Sequence, residues 1–237
     1  MSITVRKLVK PNNLLVVDDA NFYSMKKVFQ DVLKMPYYKN YAAESGAVHN
    51  MNNHEDAVKN VLFNHGFKQY TPPSSLHKKD EGDPSFLSNM GNAHFVEQPF
   101  GTHEAPDFIV KTANSNLIFI ECKSSKGYTP LYNSGGVKPN YVYIFTSEKT
   151  NSTTIYKGSS IITDEQYRII QEHIQKQREM DKITNQLLSE ADVNHRGICY
   201  YTRPMINQCG GAAYTNYMKH QNRTLCEQEA LEYVDRL

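Results

Sequence analysis

An α/β fold with a central mixed β-sheet flanked by helices is predicted from three observations in this 237-residue sequence. Helical periodicity recurs on both sides of the chain's middle, three short apolar runs lie between, and turn-forming residues separate two of those runs. With 39% hydrophobic and 22% charged side chains, the chain can bury one sizeable core. One domain over 1–237 is therefore expected, with a core at about 54–156 and a helical and loop embellishment at 160–237.

The elements follow in order. Asp19–Met35 carries Phe22, Met25, Val28, Phe29, Val32 and Leu33 at helical spacing, and Pro36 closes it. Glu44–Asn53 is small and polar and reads as a connection. Asn53 can then cap a second helix with Ala57, Val58, Val61 and Leu62 on one face, ending at Gly66. From Thr71 to Asn92, prolines and glycines among charged residues predict a long irregular loop. Strands follow at His94–Val96, Phe108–Lys111 and Leu117–Cys122, the last two joined as a hairpin through Thr112–Asn116; Tyr141–Thr146 and Thr154–Tyr156 add more, for a sheet of about five strands. Thr163 with Gln166 fits a capping box, and Tyr167, Ile170, Ile174, Ile183 and Leu187 predict a long amphipathic helix over about 162–191. The tail offers a strand at Gly197–Thr202, a Gly210-Gly211 loop and a terminal helix from about Thr224 to Arg236.

Composition excludes several classes. A formal charge of +1 and a pI of about 7.7 rule out a bulk basic field, so any polyanion surface is local. Cys122, Cys199, Cys209 and Cys226 form no C-x-x-C pair and accompany no secretory pattern at Met1–Pro11, so a reduced cytoplasmic protein is expected. No run approaches the roughly 18 apolar residues of a membrane span. The nine histidines show no H-E-x-x-H or Cys/His metal spacing. Sixteen tyrosines with no tryptophan do not discriminate between classes.

The chemistry concentrates at Pro106-Asp107, followed after thirteen intervening residues by Glu121-Cys122-Lys123. Side chains alternate along a strand, so Glu121 and Lys123 share one face while Asp107 begins the paired strand across the turn. Two anions and a cation beside Ile118, Phe119 and Ile120 lose hydration, a cost that a hard divalent cation relieves. Asp107, Glu121 and the Cys122 carbonyl are oxygen donors suited to Mg²⁺. Such an ion would activate water and neutralise charge on a phosphodiester, with Lys123 positioning the nucleophile or stabilising the phosphorus centre.

This pattern resembles the PD-(D/E)xK nuclease motif. The resemblance implies a restriction-endonuclease-like fold with Asp107 and Glu121 as metal ligands and Lys123 as the catalytic lysine. It also implies Glu55 as a further acidic residue from the preceding helix. Gln98, on the approach to Asp107, can hold a water or the scissile phosphate. A Mg²⁺-dependent type II restriction enzyme acting on double-stranded DNA is expected, as a homodimer if its recognition site is palindromic. Lys126, Tyr132, Asn133, Ser134 and Lys138 suit phosphate or base-edge contact, as does Arg203 among Lys219, Arg223 and the tail amides. The alternatives are a structure-specific or repair nuclease of the same fold, and a metal-free nucleic-acid-binding protein in which the three charged residues serve only phosphate contact or stability; without chemistry, Glu121 and Lys123 read as a solvated strand end and Asp107 as a turn cap. The polar stretch Gln171–Lys182 reads as a solvated face or a dimer contact.

Overall fold

A computed structural model describes residues 22–38, 54–72, 84–101, 104–133 and 135–237. Its centre is a six-stranded mixed sheet, one strand more than expected, with strands neighbouring one another in chain order. They are β1 (Lys68–Gln69), β2 (His94–Glu97), β3 (Phe108–Lys111), β4 (Leu117–Ser125), β5 (Val142–Ser147) and β6 (Ser152–Lys157). β1–β2 and β4–β5 pair parallel, the other neighbours antiparallel. β1 is too short to leave a periodicity in the sequence.

Five helices accompany the sheet among the described residues: α1 (Met25–Val32), α2 (His54–Asn64), α3 (Asp164–Glu190), α4 (Ala212–Thr215) and α5 (Arg223–Asp235). Ser24 caps α1, five residues later than the expected start, through an amide hydrogen bond from Lys27. α2 stops where expected because Gly66 adopts φ +85°. There the Gly66 amide donates to Phe63 and the Phe67 amide to Leu62, which completes a Schellman motif. A side chain at Gly66 would also collide with the Phe22 ring. Thr163 and Gln166 form the expected capping box at α3. Residues 19–21, the 44–53 connection with its Asn53 cap, and 73–83 of the long loop lie outside the described residues; 84–89 of that loop form a 3-10 turn.

Alternation along the strands divides two cores. Phe95, Phe108, Val110, Ile118, Ile120, Cys122, Val142, Ile144 and Ile155 face α1, α2 and α5. On the opposite face, Val96 and Ile109 pack with Leu87 and Met90, while Tyr143, Phe145 and Tyr156 pack with Tyr132, Ile162 and Tyr217. Cover on both faces explains why β5 is buried along its whole length and shows no polar alternation. α5 is tied to β6 by Arg223, whose guanidinium donates to Thr153 O at 3.1 Å, to Met218 O at 3.1 Å and to Glu227 at 2.7 Å. Arg223 therefore serves the fold, which corrects its expected place in a base-reading tail.

The Gly197–Thr202 strand does not form. That segment runs along α3 instead, with Tyr200 exchanging two backbone hydrogen bonds with the Asn185 amide side chain and Thr202 donating to Asp181. A helix offers no ladder of main-chain partners, so the segment stays extended without becoming a strand. No described helix is long and apolar enough to cross a membrane.

His54 opens α2 fully enclosed, and neither ring nitrogen has a hydrogen-bond partner among the described residues. Burial pushes its pKa from 6.5 down to about 3. The folded protein holds the ring neutral while the unfolded chain protonates it below 6.5, so this contribution to stability is lost as pH falls from 6.5 toward 3. His54→Leu is expected to lose about 1–3 kcal/mol less stability than the parent between pH 7 and pH 4, read from urea midpoints at both pH values.

Candidate active site

The β3–β4 ladder runs from Lys111↔Leu117 to Phe108↔Ile120 and stops. Two residues farther along β4, the Cys122 amide has no strand partner on that side, and the Asp107 carboxylate takes its place: Oδ2 accepts from Cys122 N at 2.7 Å. Asp107 is held in turn by its own carbonyl, which accepts from Gln98 N at 2.7 Å. Gln98 turns the chain there with φ +45°. A strand residue's N–H and C=O leave on the same edge, so the Cys122 carbonyl also faces the gap beyond β3.

Asp107 lies two residues before Ile109 and Glu121 two after Phe119, so both carboxylates project from the face that carries Ile109 and Phe119. Lys123 shares it. Its ammonium donates to Glu121 Oε1 at 2.6 Å and to Asn133 Oδ1 at 2.8 Å. Glu121 is 4% exposed, and its other oxygen, Oε2, is buried without a hydrogen-bond partner among the described residues.

Electrostatics record the crowding. Burial first, then the Glu121 charge, pushes Asp107 from 3.8 up to about 7 against the opposing pull of the Cys122 amide and Lys123. Burial likewise raises Glu121, with Lys123 resisting and Glu55 adding to the rise. Glu55, second residue of α2, is raised chiefly by burial and further by Asp107. The structure thus brings Asp107, Glu121, Lys123 and Glu55 into one field at the open end of β3 and β4.

A surrounding layer escaped sequence reasoning. Lys59 places its ammonium 3.0 Å from both Glu97 oxygens and 3.2 Å from Asp56, and Gln69 donates to Glu97 at 3.1 Å. Glu97 also raises Asp107, so Lys59 partly neutralises a third anion beside the site. The signal in the sequence was Lys59 one helical turn after Glu55, on the same face of α2.

Several expected nucleic-acid contacts have other work. Tyr132 is completely buried, with its hydroxyl 2.9 Å from that of Tyr156 and 3.4 Å from that of Tyr217; it has no surface to offer DNA, which corrects that expectation. Asn133 accepts from Lys123 and so positions the lysine. Lys138 is half-buried, with its amide donating to the Tyr143 hydroxyl and its ammonium 5.9 Å over the Tyr167 ring. Lys126 is exposed just beyond β4. Arg203 is exposed in a groove with Arg178 and Lys182 between α3 and the 200–204 segment. Ser134 and His103 lie outside the described residues.

Among the described residues, no cluster of three or more His, Cys, Asp or Glu side chains has metal-holding geometry. A set of two carboxylates and one carbonyl suits Mg²⁺, which commonly takes one or two carboxylates and keeps several waters. The residues present fit such an ion: the buried, unpartnered Glu121 Oε2 and the raised Asp107 are the groups a cation would satisfy. No family model, characterised protein or solved structure matches this chain.

Asp107 raised to about 7 makes a prediction about stability. The fold favours its protonated form, so the stability this group lends is present below pH 3.8 and is lost as pH rises through 7. Asp107→Asn, which keeps an acceptor for the Cys122 amide, is expected to be more stable than the parent by on the order of 1–3 kcal/mol at pH 8. The gap should close toward pH 4 in paired thermal melts.

Proposed function

We propose that this chain is a Mg²⁺-dependent DNA endonuclease of the PD-(D/E)xK type, and more finely a type II restriction enzyme that cuts both strands at a specific sequence. The observation that carries this reading is the union of Asp107, Glu121 and Lys123 at the end of the β3–β4 ladder, with one Glu121 oxygen buried and unpartnered. An isolated strand end or turn cap has no reason to bury two mutually repelling carboxylates, because each loses hydration that the solvated alternative would retain.

Asp107, Glu121 and the Cys122 carbonyl would hold the ion. When bound, it would supply Lewis-acid stabilisation of the phosphodiester and activation of the attacking water. The protein's own groups do the rest. Asp107, kept in place by the Cys122 amide, presents its carboxylate toward the gap. Lys123 has three N–H donors, two of them directed to Glu121 and Asn133, which aims the ammonium and leaves one donor for a phosphate oxygen or the nucleophile. Glu55 adds negative charge that strengthens cation binding, and Gln98 offers an amide beside Asp107.

The near-neutral chain favours a discriminating enzyme over a nonspecific coat, since nonspecific affinity rests on neutralised phosphates. A homodimer belongs to the same reading: Met180, Ile183 and Leu187 lie 60–66% exposed along α3 at coiled-coil spacing.

Incubation of purified protein with unmodified phage DNA tests the proposal. Discrete fragments that require Mg²⁺ and vanish in Asp107→Ala, Glu121→Ala and Lys123→Ala are expected, each substitution costing at least about 10²-fold in kcat. Intact DNA under all conditions would refute it, and a smear would refute the site-specific form. Asn133→Ala is expected to lower kcat about 10–100-fold while leaving KM for DNA and the melting transition near those of the parent, because only the aim of Lys123 changes.

A further inference from the structure

Two residue pairs along the ladder from the carboxylates, Ile109 and Phe119 line a groove of about 410 Å³. That volume falls in the range of about 300–1,000 Å³ typical of small-ligand clefts. Its walls are chemically uneven. Phe119 and Tyr141 stack with parallel rings, 6° between planes and 5.3 Å between centroids, and both are only half-buried. Lys138 and, on α3, Gln171 also line it. The Gln171 amide nitrogen donates to Gly135 O at 3.2 Å, which turns its carbonyl oxygen into the remaining acceptor.

We propose that this groove receives a single unstacked base of the DNA strand whose phosphate lies at Asp107 and Glu121. The inference rests on the nuclease reading and deepens it. Two residues of strand span about 7 Å, so the groove starts about one nucleotide step from the carboxylates and on the same face of the sheet. The Phe119–Tyr141 pair is half of a base stack already built, and aromatic faces accept any base. A cation and an amide acceptor at the rim can then read the edge of the base, a combination that an aliphatic ligand would leave unused.

Full-length protein without Mg²⁺, titrated with 2-aminopurine deoxyribonucleoside 5′-monophosphate, tests this by fluorescence. Saturable quenching displaced by dAMP is expected, and Tyr141→Ala should weaken binding about tenfold or more by removing the stacking surface. Gln171→Trp fills the groove from the helix side without disturbing the sheet, and should weaken binding at least as much with an unchanged melting transition. Gln186→Ala, fifteen residues farther along α3 and with its side-chain amide hydrogen-bonded to Glu190, should bind as the parent does. Absence of saturable quenching, or binding that survives both groove substitutions, would overturn the proposal. The same proteins assayed on phage DNA with Mg²⁺ separate the two readings. Parent turnover without nucleotide binding overturns the base groove alone, and groove-dependent nucleotide binding without turnover overturns the nuclease reading alone.

Discussion

The hydrogen bond from the Cys122 amide to the Asp107 carboxylate is the constraint on which the site depends. It forms where β3 has run out of residues and β4 has not, so a side chain substitutes for a missing strand neighbour. Register is what permits it: a slip of one residue between β3 and β4 would turn Glu121 and Lys123 to the face covered by α1, α2 and α5 and bury their charges beside Phe108 and Val110. The hydrophobic division of the sheet into two faces therefore enforces the placement of its charged end.

That placement is costly to the fold. Burial and mutual repulsion raise Asp107, Glu121 and Glu55 together, and Lys123 and the Cys122 amide offset only part of the penalty. Lys59 contains the problem by occupying Glu97, which would otherwise add an unscreened anion next to Asp107. Under the proposed reading, a bound cation would relieve repulsion already present in the folded chain.

The tyrosines find their role in the same structure. Tyr143 and Tyr156 stack across β5 and β6, Tyr217 stacks on Tyr156, and Tyr132 packs edge-on against Tyr143. Tyr132 is further bridged to Ile206 through both backbone groups. Since Asn133 follows Tyr132 directly, this aromatic block fixes the acceptor that aims Lys123. Gly158 completes the support: any side chain there would strike the Lys138 carbonyl, so the 126–141 connection can close down on the end of β6 only over a glycine. The helix α3 joins this block through Tyr167 and Ile170, and farther along it and its extended companion segment leave apolar residues exposed.

Local patterns were enough to read the β3–β4 hairpin, the Gly66 stop of α2 and the capping box of α3. Period-two alternation alone brought Asp107, Glu121 and Lys123 to one face. These features depend on residues a few positions apart, where backbone geometry leaves few choices. Tertiary structure decided the rest. Tyr132 became interior, Asn133 a partner of Lys123, Arg223 a brace across to Thr153, and Gly197–Thr202 a strap on α3 instead of a strand. None of these could be read locally, because a polar or aromatic side chain carries no periodic mark of which distant group will satisfy it. Burial on both faces had likewise erased the alternation in β5. Spacing along the chain determined where the charged groups stand, and packing between distant segments determined which of them face one another.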